Sequence, residues 1–348
     1  DTGPIKMGFI GPLTGDAAVY GTTERNITNL VVDKVNSEGG INGRKIEIIY
    51  EDGKCNGKDA SSAAQKLAGL DKVKVILGGI CSAETVAASS VTEPAKVLLF
   101  AAFSSAPAVT TAGDYVFRNA PSDLDGGRID SELLSQKYKN VAIISETTDY
   151  SQGVRGVLLK LLPEKGVKII ADEQYSGTTK DFRTILSKIK SLNPEAIYFN
   201  PGTSPLAAGI IIKQARELGI KAPAYFNFLM GNEETIKTAG NYADGVIFSD
   251  APSLPEDNKS LIEEYKQKFG SGPGSDYELG SAYDRIMIII DAIKKVGYDS
   301  TKIKDYLYAM KPYAGKVGTY SFDKNGDMTG TGFVHFIIKD GKKTLLNK

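Results

Sequence analysis

Strand-like and helix-like segments alternate along most of this chain, and that alternation restricts the fold more than any other feature. Candidate strands are Ile5–Ile10, Lys45–Tyr50, Val73–Leu77, Leu98–Ala101, Val141–Ser145, Lys168–Gln174, Ala196–Phe199, Ala224–Phe226 and Val246–Ser249. Between them lie runs with helical spacing. Ile27, Leu30, Val31 and Val35 mark one apolar face. In another run Ser204 stands at an N-cap, Pro205 at the first helical position and Gly219 at the C-terminal stop. Such alternation predicts parallel sheets covered by helices.

At 348 residues the chain is about twice the usual domain size, so two lobes are expected. Residues 5–120 read as one βα series, and a second begins at Asn140–Ile144. The segment Asn119–Arg128, with its Pro and paired Gly, suits a crossover between them. A second break falls at Asp250–Pro255. The helix-rich stretch from about Asp257 to Met310 is short of strands and reads as a return to cover the first lobe.

Composition removes several function classes. Lys+Arg and Asp+Glu are both 42, so no basic excess is available to neutralise phosphates, and nucleic acid is not an expected partner. The longest apolar runs, such as Ile286–Ile290 between Arg285 and Asp291, fall far short of a membrane span. The opening Asp1-Thr2-Gly3-Pro4 reads as a mature or trimmed N-terminus. The ending at Asn347-Lys348 shows no membrane-spanning continuation and reads as a free protein.

Catalytic and cofactor motifs are missing. The one histidine, His335, lies in the alternating run Phe333–Ile338 and reads as a structural strand residue. There is no GxSxG elbow, P-loop or HExxH. No GxGxxG follows the first strand, and Gly8, Gly11 and Gly15 have the wrong spacing for a dinucleotide fingerprint. Asp323–Asp327 lacks the acidic pattern of a calcium loop and is expected to be a β-turn. No enzyme activity, metal or cofactor is expected.

What the sequence does offer is a set of turns rich in hydroxyls and aromatics after predicted strands. They are Gly11–Gly21 with Tyr20, Gly78–Thr85 with Ser82, Ala101–Pro107 with Phe103, Ser104 and Ser105, and Ser145–Gly153 with Tyr150. In open α/β sheets the carboxyl ends of the strands are where ligands bind. Helix N-termini there receive anions such as carboxylates. Each turn alone has an ordinary explanation: Ser82 as an N-cap, Ser104 and Ser105 as a plain turn, Tyr150 as an exposed aromatic, Tyr20 as cover for its helix. Four such turns in two lobes favour binding.

Two cysteines, Cys55 and Cys81, are too few for a structural zinc site and are not spaced as CxxC. They read either as buried thiols or as one disulfide. A bridge would close a loop of roughly 27 residues and contribute roughly 3.5 kcal/mol in the chain-entropy model, and would imply an oxidising compartment.

The order and spacing of further segments make the chain similar to a known family. These are Ile10–Gly15 with Tyr20-Gly21, Asn36–Gly43, Asp52 before Cys55, Gly78-Gly79 with Cys81-Ser82, Ser104–Pro107, Arg118-Asn119, Tyr150–Gly153, Gln214–Gly219, and Ala239-Gly240 with Asp244-Gly245. Over nearly its whole length the chain resembles the type I periplasmic solute-binding proteins of the branched-chain amino acid group, which deliver ligand to ABC transporters. The resemblance implies two α/β, Rossmann-like lobes joined by three crossovers, with ligand between them. Lobe 1 would take residues 1–121 and 251–328, and lobe 2 residues 122–250 and 329–348. It also implies the disulfide, because leucine-type members carry one where Cys55 and Cys81 fall.

Site residues carry over one at a time. Ser82 corresponds to the serine that binds the ligand carboxylate, and Ser105, with Ser104 beside it, falls where a threonine is usual. Phe103 falls on a backbone contact, and its ring is larger than usual there. Tyr20 falls on the aromatic of the side-chain pocket, Tyr150 on the second-lobe tyrosine, and Asp123 near a polar contact at the crossover. Around Tyr198–Pro205 the chain is one residue longer than the pattern, with Thr203 assigned to the ligand. The acid that pairs with the ligand ammonium comes from the loop holding Asn227 and Glu233. Glu233 is the candidate, with helix capping as its alternative role.

The resulting expectation is a monomeric, exported binding protein, periplasmic or cell-surface. It would carry a neutral aliphatic amino acid to an ABC permease by hinge closure. The alternatives are the same fold binding an aromatic acid, an amide or a urea-like ligand, or serving as a ligand sensor.

Overall fold

The computed structural model describes residues 3–346 apart from Thr203. The chain begins with β1 (Ile5–Gly11), buried at every position but Lys6, as befits a parallel strand covered on both faces. α1 (Ala18–Ser37), β2 (Ile46–Asp52), α2 (Gly57–Gln65), β3 (Val75–Leu77), α3 (Ser82–Thr92), β4 (Leu98–Ala101) and β5 (Val116–Arg118) follow. Then come α4 (Asp123–Lys137), β6 (Asn140–Glu146), α5 (Asp149–Glu164), β7 (Lys168–Tyr175), α6 (Arg183–Ser191), β8 (Ala196–Asn200), α7 (Pro205–Glu217), β9 (Ala224–Phe226), α8 (Glu233–Ala239) and β10 (Ile247–Asp250). The last part holds α9 (Ser260–Phe269), α10 (Asp276–Val296), α11 (Ser300–Tyr308), β11 (Tyr313–Gly315), β12 (Gly318–Phe322), β13 (Met328–Thr329), β14 (Val334–Lys339) and β15 (Lys342–Leu345).

Two compact units result, and the chain passes between them three times. Unit 1 runs to Ser122 and takes up Pro252–Thr331, and unit 2 takes Asp123–Ala251 and the chain from Gly332. Unit 1 holds a five-stranded parallel sheet in the order β2-β1-β3-β4-β5. Its core includes Phe100, Phe117 and Phe322, whose rings meet with centroids 5.3–6.2 Å apart. Each such ring contributes about 1.5–3 kcal/mol by burial. α10 packs along α1 with Ile286, Ile289, Ile290 and Ile293 buried. Between these two helices Glu24 and Arg285, both wholly buried, lie 2.7 Å apart.

Unit 2 holds a seven-stranded sheet in the order β15-β14-β10-β9-β8-β6-β7. Five of its strands are parallel, and β14 and β15 close one side antiparallel. Both units are thus α/β layers with parallel strands flanked by helices.

The helix over Pro205–Glu217 starts as the sequence predicts. The Ser204 side chain accepts the N–H of Ala207, and Gly219 takes a φ of +75° at the stop. β5 and the β11–β13 ribbon are absent from the sequence reading. All are five residues or shorter and are defined by their pairing rather than by a pattern of their own. Asp323–Asp327 is a turn between β12 and β13, with the Asn325 and Asp327 amides donating to the Asp323 carboxylate. Among the described residues no helix is long and apolar enough to cross a membrane.

Candidate functional site

In unit 1 the carboxyl ends of β1, β2, β3 and β4 lie along one sheet edge, and the four turns that follow are tied together in sequence. Asp52, the last residue of β2, accepts the N–H of Leu13 at 2.9 Å and of Lys54 at 3.0 Å, and the hydroxyl of Thr14. This joins the turn after β1 to the turn after β2. Burial works to raise the Asp52 carboxyl, but the Thr14, Leu13 and Lys54 donors outweigh it and hold it below the ordinary carboxylate range.

Glu84 ties the second turn to the third. One oxygen accepts the Cys55 N–H and the other accepts those of Ile80 and Cys81, all at 3.0 Å. Cys55 and Cys81 also form a disulfide, with Cα atoms 5.2 Å apart. Burial pushes the Glu84 carboxyl up to about 7 against the pull of those three amides.

The third turn joins the fourth through hydroxyls. The Ser104 hydroxyl lies 3.0 Å from the carbonyls of Gly79 and Ile80 and 2.6 Å from that of Thr85. Its only proton is committed to these neighbours, so Ser104 ties the turns together. Ser82 behaves differently. It is the first helical residue of α3, with Cys81 at the N-cap, so the ordinary capping role belongs to its neighbour. The Ser82 oxygen accepts the N–H of Ala106 at 3.1 Å. Its proton remains for an acceptor beside the Ser82 and Ala83 amides at the N-terminus of α3. The Ala106 carbonyl in turn accepts from Arg118 at 2.9 Å. Ser105 is buried in the same turn.

An aromatic wall adjoins these groups. The rings of Tyr20, in the first turn of α1, and Phe103 lie 5.4 Å apart between centroids. Tyr20 is buried, and Phe103 is half-buried. Gly274 lets the Tyr20 ring lie close, because a Cβ there would come within 2.9 Å of it.

In unit 2 a small cavity, with room for about one water-sized group, is lined by Asp123, Asp130, Tyr150, Tyr198, Phe228 and Phe333 among others. Tyr150 sits in the first turn of α5 with its ring edge-on to Phe228 at 5.4 Å. Asp123 opens α4 and is buried. Below them Asp130 accepts from Tyr198 at 2.7 Å and Ser249 at 2.8 Å on one oxygen, and faces His335 Nε2 at 2.9 Å with the other. Ser249 and His335 both meet Asp130, so this arrangement provides no serine-to-histidine proton path.

Three remaining residues fare differently. Asn227 is buried and spends its side chain on Asn200, Pro201 and Leu229, which shapes its own loop. Glu233 is exposed in the first turn of α8, where Asn232 is the N-cap, and does not line the cavity. Thr203 lies outside the described residues. Glu84, Asp52 and Asp130 were not singled out from sequence as site residues. For Glu84 a signal existed: a Glu at the third helical position reaches back to the N-cap amide, but the N-cap is a cysteine here.

Known proteins resemble this chain along nearly its whole length. The model of a family described as Periplasmic binding protein matches residues 4–342. The leucine-, isoleucine-, valine-, threonine- and alanine-binding protein of Pseudomonas aeruginosa is 29% identical over 98% of this chain and 91% of its own length. An amino acid binding protein of the same organism is 30% identical over 97% of this chain and 91% of its own length. The branched-chain amino acid transporter substrate-binding protein of Streptococcus pneumoniae, solved with isoleucine, superposes with a TM-score of 0.86 at 28% identity, covering 99% of this chain and all of that one. The match along almost the full length, on an α/β fold with its hydroxyl-bearing turns at the strand ends, shows that this chain belongs to the periplasmic binding protein family.

Proposed function

We propose that the protein is the extracytoplasmic substrate-binding component of an ABC importer and that its ligand is a small neutral aliphatic amino acid. The observation that carries this is the Ser82 hydroxyl, fixed by the Ala106 amide with its own proton left to give, beside the Tyr20–Phe103 wall. A donor at a helix N-terminus suits a carboxylate, and the adjoining rings suit an apolar side chain. Ser105 and the turn backbone would complete the carboxylate contacts. For the ammonium we propose Asp123 with Tyr150, which share one cavity lining in unit 2, in place of Glu233. The partner would be the membrane permease, and the compartment periplasmic or cell-surface, consistent with the disulfide.

Calorimetry with L-leucine, L-isoleucine, L-valine and L-alanine tests the reading; no heat of binding with any of them overturns it. A second reading, a carboxylate without an ammonium, draws support from the exposed position of Glu233. L-leucine against 4-methylpentanoic acid separates the two, since they share a carbon skeleton and differ in the ammonium.

A further inference from the structure

We infer that Glu84 is a positioning residue for the carboxylate site: its ionised side chain holds the Gly53–Asn56 and Gly78–Cys81 turns in the geometry that presents Ser82. The inference rests on the ligand reading above.

All three partners of Glu84 are N–H donors, two on one oxygen and one on the other. An ionised carboxylate satisfies all three. A proton would settle on the oxygen that carries only the Cys55 amide and would leave that oxygen a much poorer acceptor for the N–H. The tie between the second and third turns would be lost. Gly53 and Gly79 let these turns lie against Glu84, because a Cβ at Gly53 would stand 2.2 Å from its oxygen and one at Gly79 2.4 Å from its Cβ.

The second turn needs this restraint. Lys54 and Cys55 are consecutive non-glycine residues with φ of 49° and 57°, a left-handed conformation that L side chains rarely adopt. The disulfide joins the side chains of the two turns, whereas Glu84 fixes their backbone amides. Ser82 lies two residues from Glu84 in the same helical turn, so displacement of the third turn moves the hydroxyl directly.

Burial and the charge of Glu24 on α1 both raise the Glu84 carboxyl, to about 7. Other charged groups on the surrounding elements are Arg285, paired with Glu24, and Glu278 on α10, Asp52 and Lys54 on the rim, and Lys58 and Asp59 opening α2. The ionised, binding-competent form is therefore a fraction of the molecules that grows with pH, and apparent affinity scales with that fraction.

The test is calorimetry with L-leucine from pH 5.5 to pH 8, on the wild type and on Glu84→Gln. It is paired with hydrogen exchange of the Cys55, Ile80 and Cys81 amides in the ligand-free proteins. L-leucine stays a zwitterion across this range. The wild type is expected to bind about thirtyfold more weakly at pH 5.5 than at pH 8. Glu84→Gln, which places an N–H against the Cys55 amide, is expected to bind at the weaker level at both ends, with exchange at the three amides at least tenfold faster. It retains every other titrating group, so the difference between the two profiles isolates Glu84. Glu84→Gln binding within twofold of the wild type at pH 8, or unchanged exchange at the three amides, overturns the inference. If the wild type binds no amino acid, the ligand reading fails alone and ligand-free exchange still decides the role of Glu84. If Glu84→Gln does not fold, wild-type exchange decides: corrected for intrinsic rates, it must quicken at the three amides as pH falls through about 7.

Discussion

The Ser82 hydroxyl oxygen accepts the backbone N–H of Ala106 at 3.1 Å, so the turn after β3 orients its key hydroxyl on the turn after β4. The bond keeps the proton from pointing at Ala106, because the lone pair facing that amide is occupied. A hydrogen bond to a charged partner is worth about 1.5–3 kcal/mol. Ser82→Ala is therefore expected to weaken binding of a carboxylate ligand by roughly 10- to 100-fold, with a stability loss of only about 1 kcal/mol from the orphaned Ala106 amide. Calorimetry and a thermal melt on the same preparation check both. An unchanged dissociation constant would remove Ser82 from the site.

The assignment of the ammonium partner gives a second prediction. Asp123 is buried and lines the cavity with Tyr150, whereas Glu233 is exposed on the first turn of α8. Asp123→Asn is expected to weaken L-leucine binding at least tenfold while leaving any binding of 4-methylpentanoic acid within twofold. Glu233→Gln is expected to change neither by more than twofold, since an exposed charge interacts weakly through water. The reverse pattern would restore Glu233 as the partner.

How far these residues were legible in the sequence depends on whether their role is local. Leu98–Ala101 and Ala224–Phe226 are strands over the residues that the apolar runs indicated, because a buried parallel strand is a continuous apolar run. β5 was not legible: three residues make no pattern, and Val116 is a strand residue only because it pairs with Leu99 of β4. At the site, Tyr20 and Phe103 stand in turns that could be read from the chain, and their rings meet. Ser104 looked equivalent to Ser105, yet its bonds run to Gly79 and Ile80, carbonyls some 25 residues away in sequence. Glu84 was hidden for a different reason. Taking Ser82 as the N-cap would put Thr85 at the third helical position, and only with Cys81 as the cap does Glu84 occupy it. Its two remaining partners, Cys55 and Ile80, come from turns after different strands, which periodicity along the chain does not reveal.

A third prediction concerns the support beneath the fourth turn. Arg118 is wholly buried and meets Asp327 with two parallel bonds, at 2.7 and 2.9 Å, while also donating to Thr110 and to the Ala106 carbonyl. Removing one partner of a buried pair leaves the other charge uncompensated, at a cost of about 3–5 kcal/mol. Asp327→Asn is expected to lower the melting midpoint by roughly 10 °C on that basis. Arg118→Lys keeps the charge but cannot reproduce the fork, so it should fall close to Asp327→Asn. Because Arg118 holds Ala106, both variants should also weaken ligand binding, which calorimetry below the melting range would detect. A melting shift of under 2 °C would show that the pair contributes little.

The last prediction is a pH dependence of stability whose sign follows from burial. Asp284 on α10 accepts the amides of Lys316 and Val317 and the Tyr320 hydroxyl, yet burial prevails and pushes its carboxyl up to about 6. In the unfolded chain the same group ionises near the ordinary value of about 4. Between those values the folded state holds a proton that the unfolded state has released, so stability falls as pH rises through the window. Glu84 acts in the same direction up to about 7. Asp52, held below the ordinary range, acts oppositely: its contribution is present above about pH 4 and is lost in stronger acid. The ligand-free protein is therefore expected to be most stable near pH 4 and to lose roughly 4 kcal/mol between pH 5 and pH 8. Calorimetric melts across that range would show the decline, and Asp284→Asn should flatten its lower part, from pH 5 to 6. If the ligand-free protein is instead equally stable at pH 5 and pH 8, Asp284 and Glu84 ionise at ordinary values in the folded state. At the pH where the ligand-free fold is most stable Glu84 is mostly protonated, so conditions that favour the fold oppose the charged form that orders the Ser82 turn.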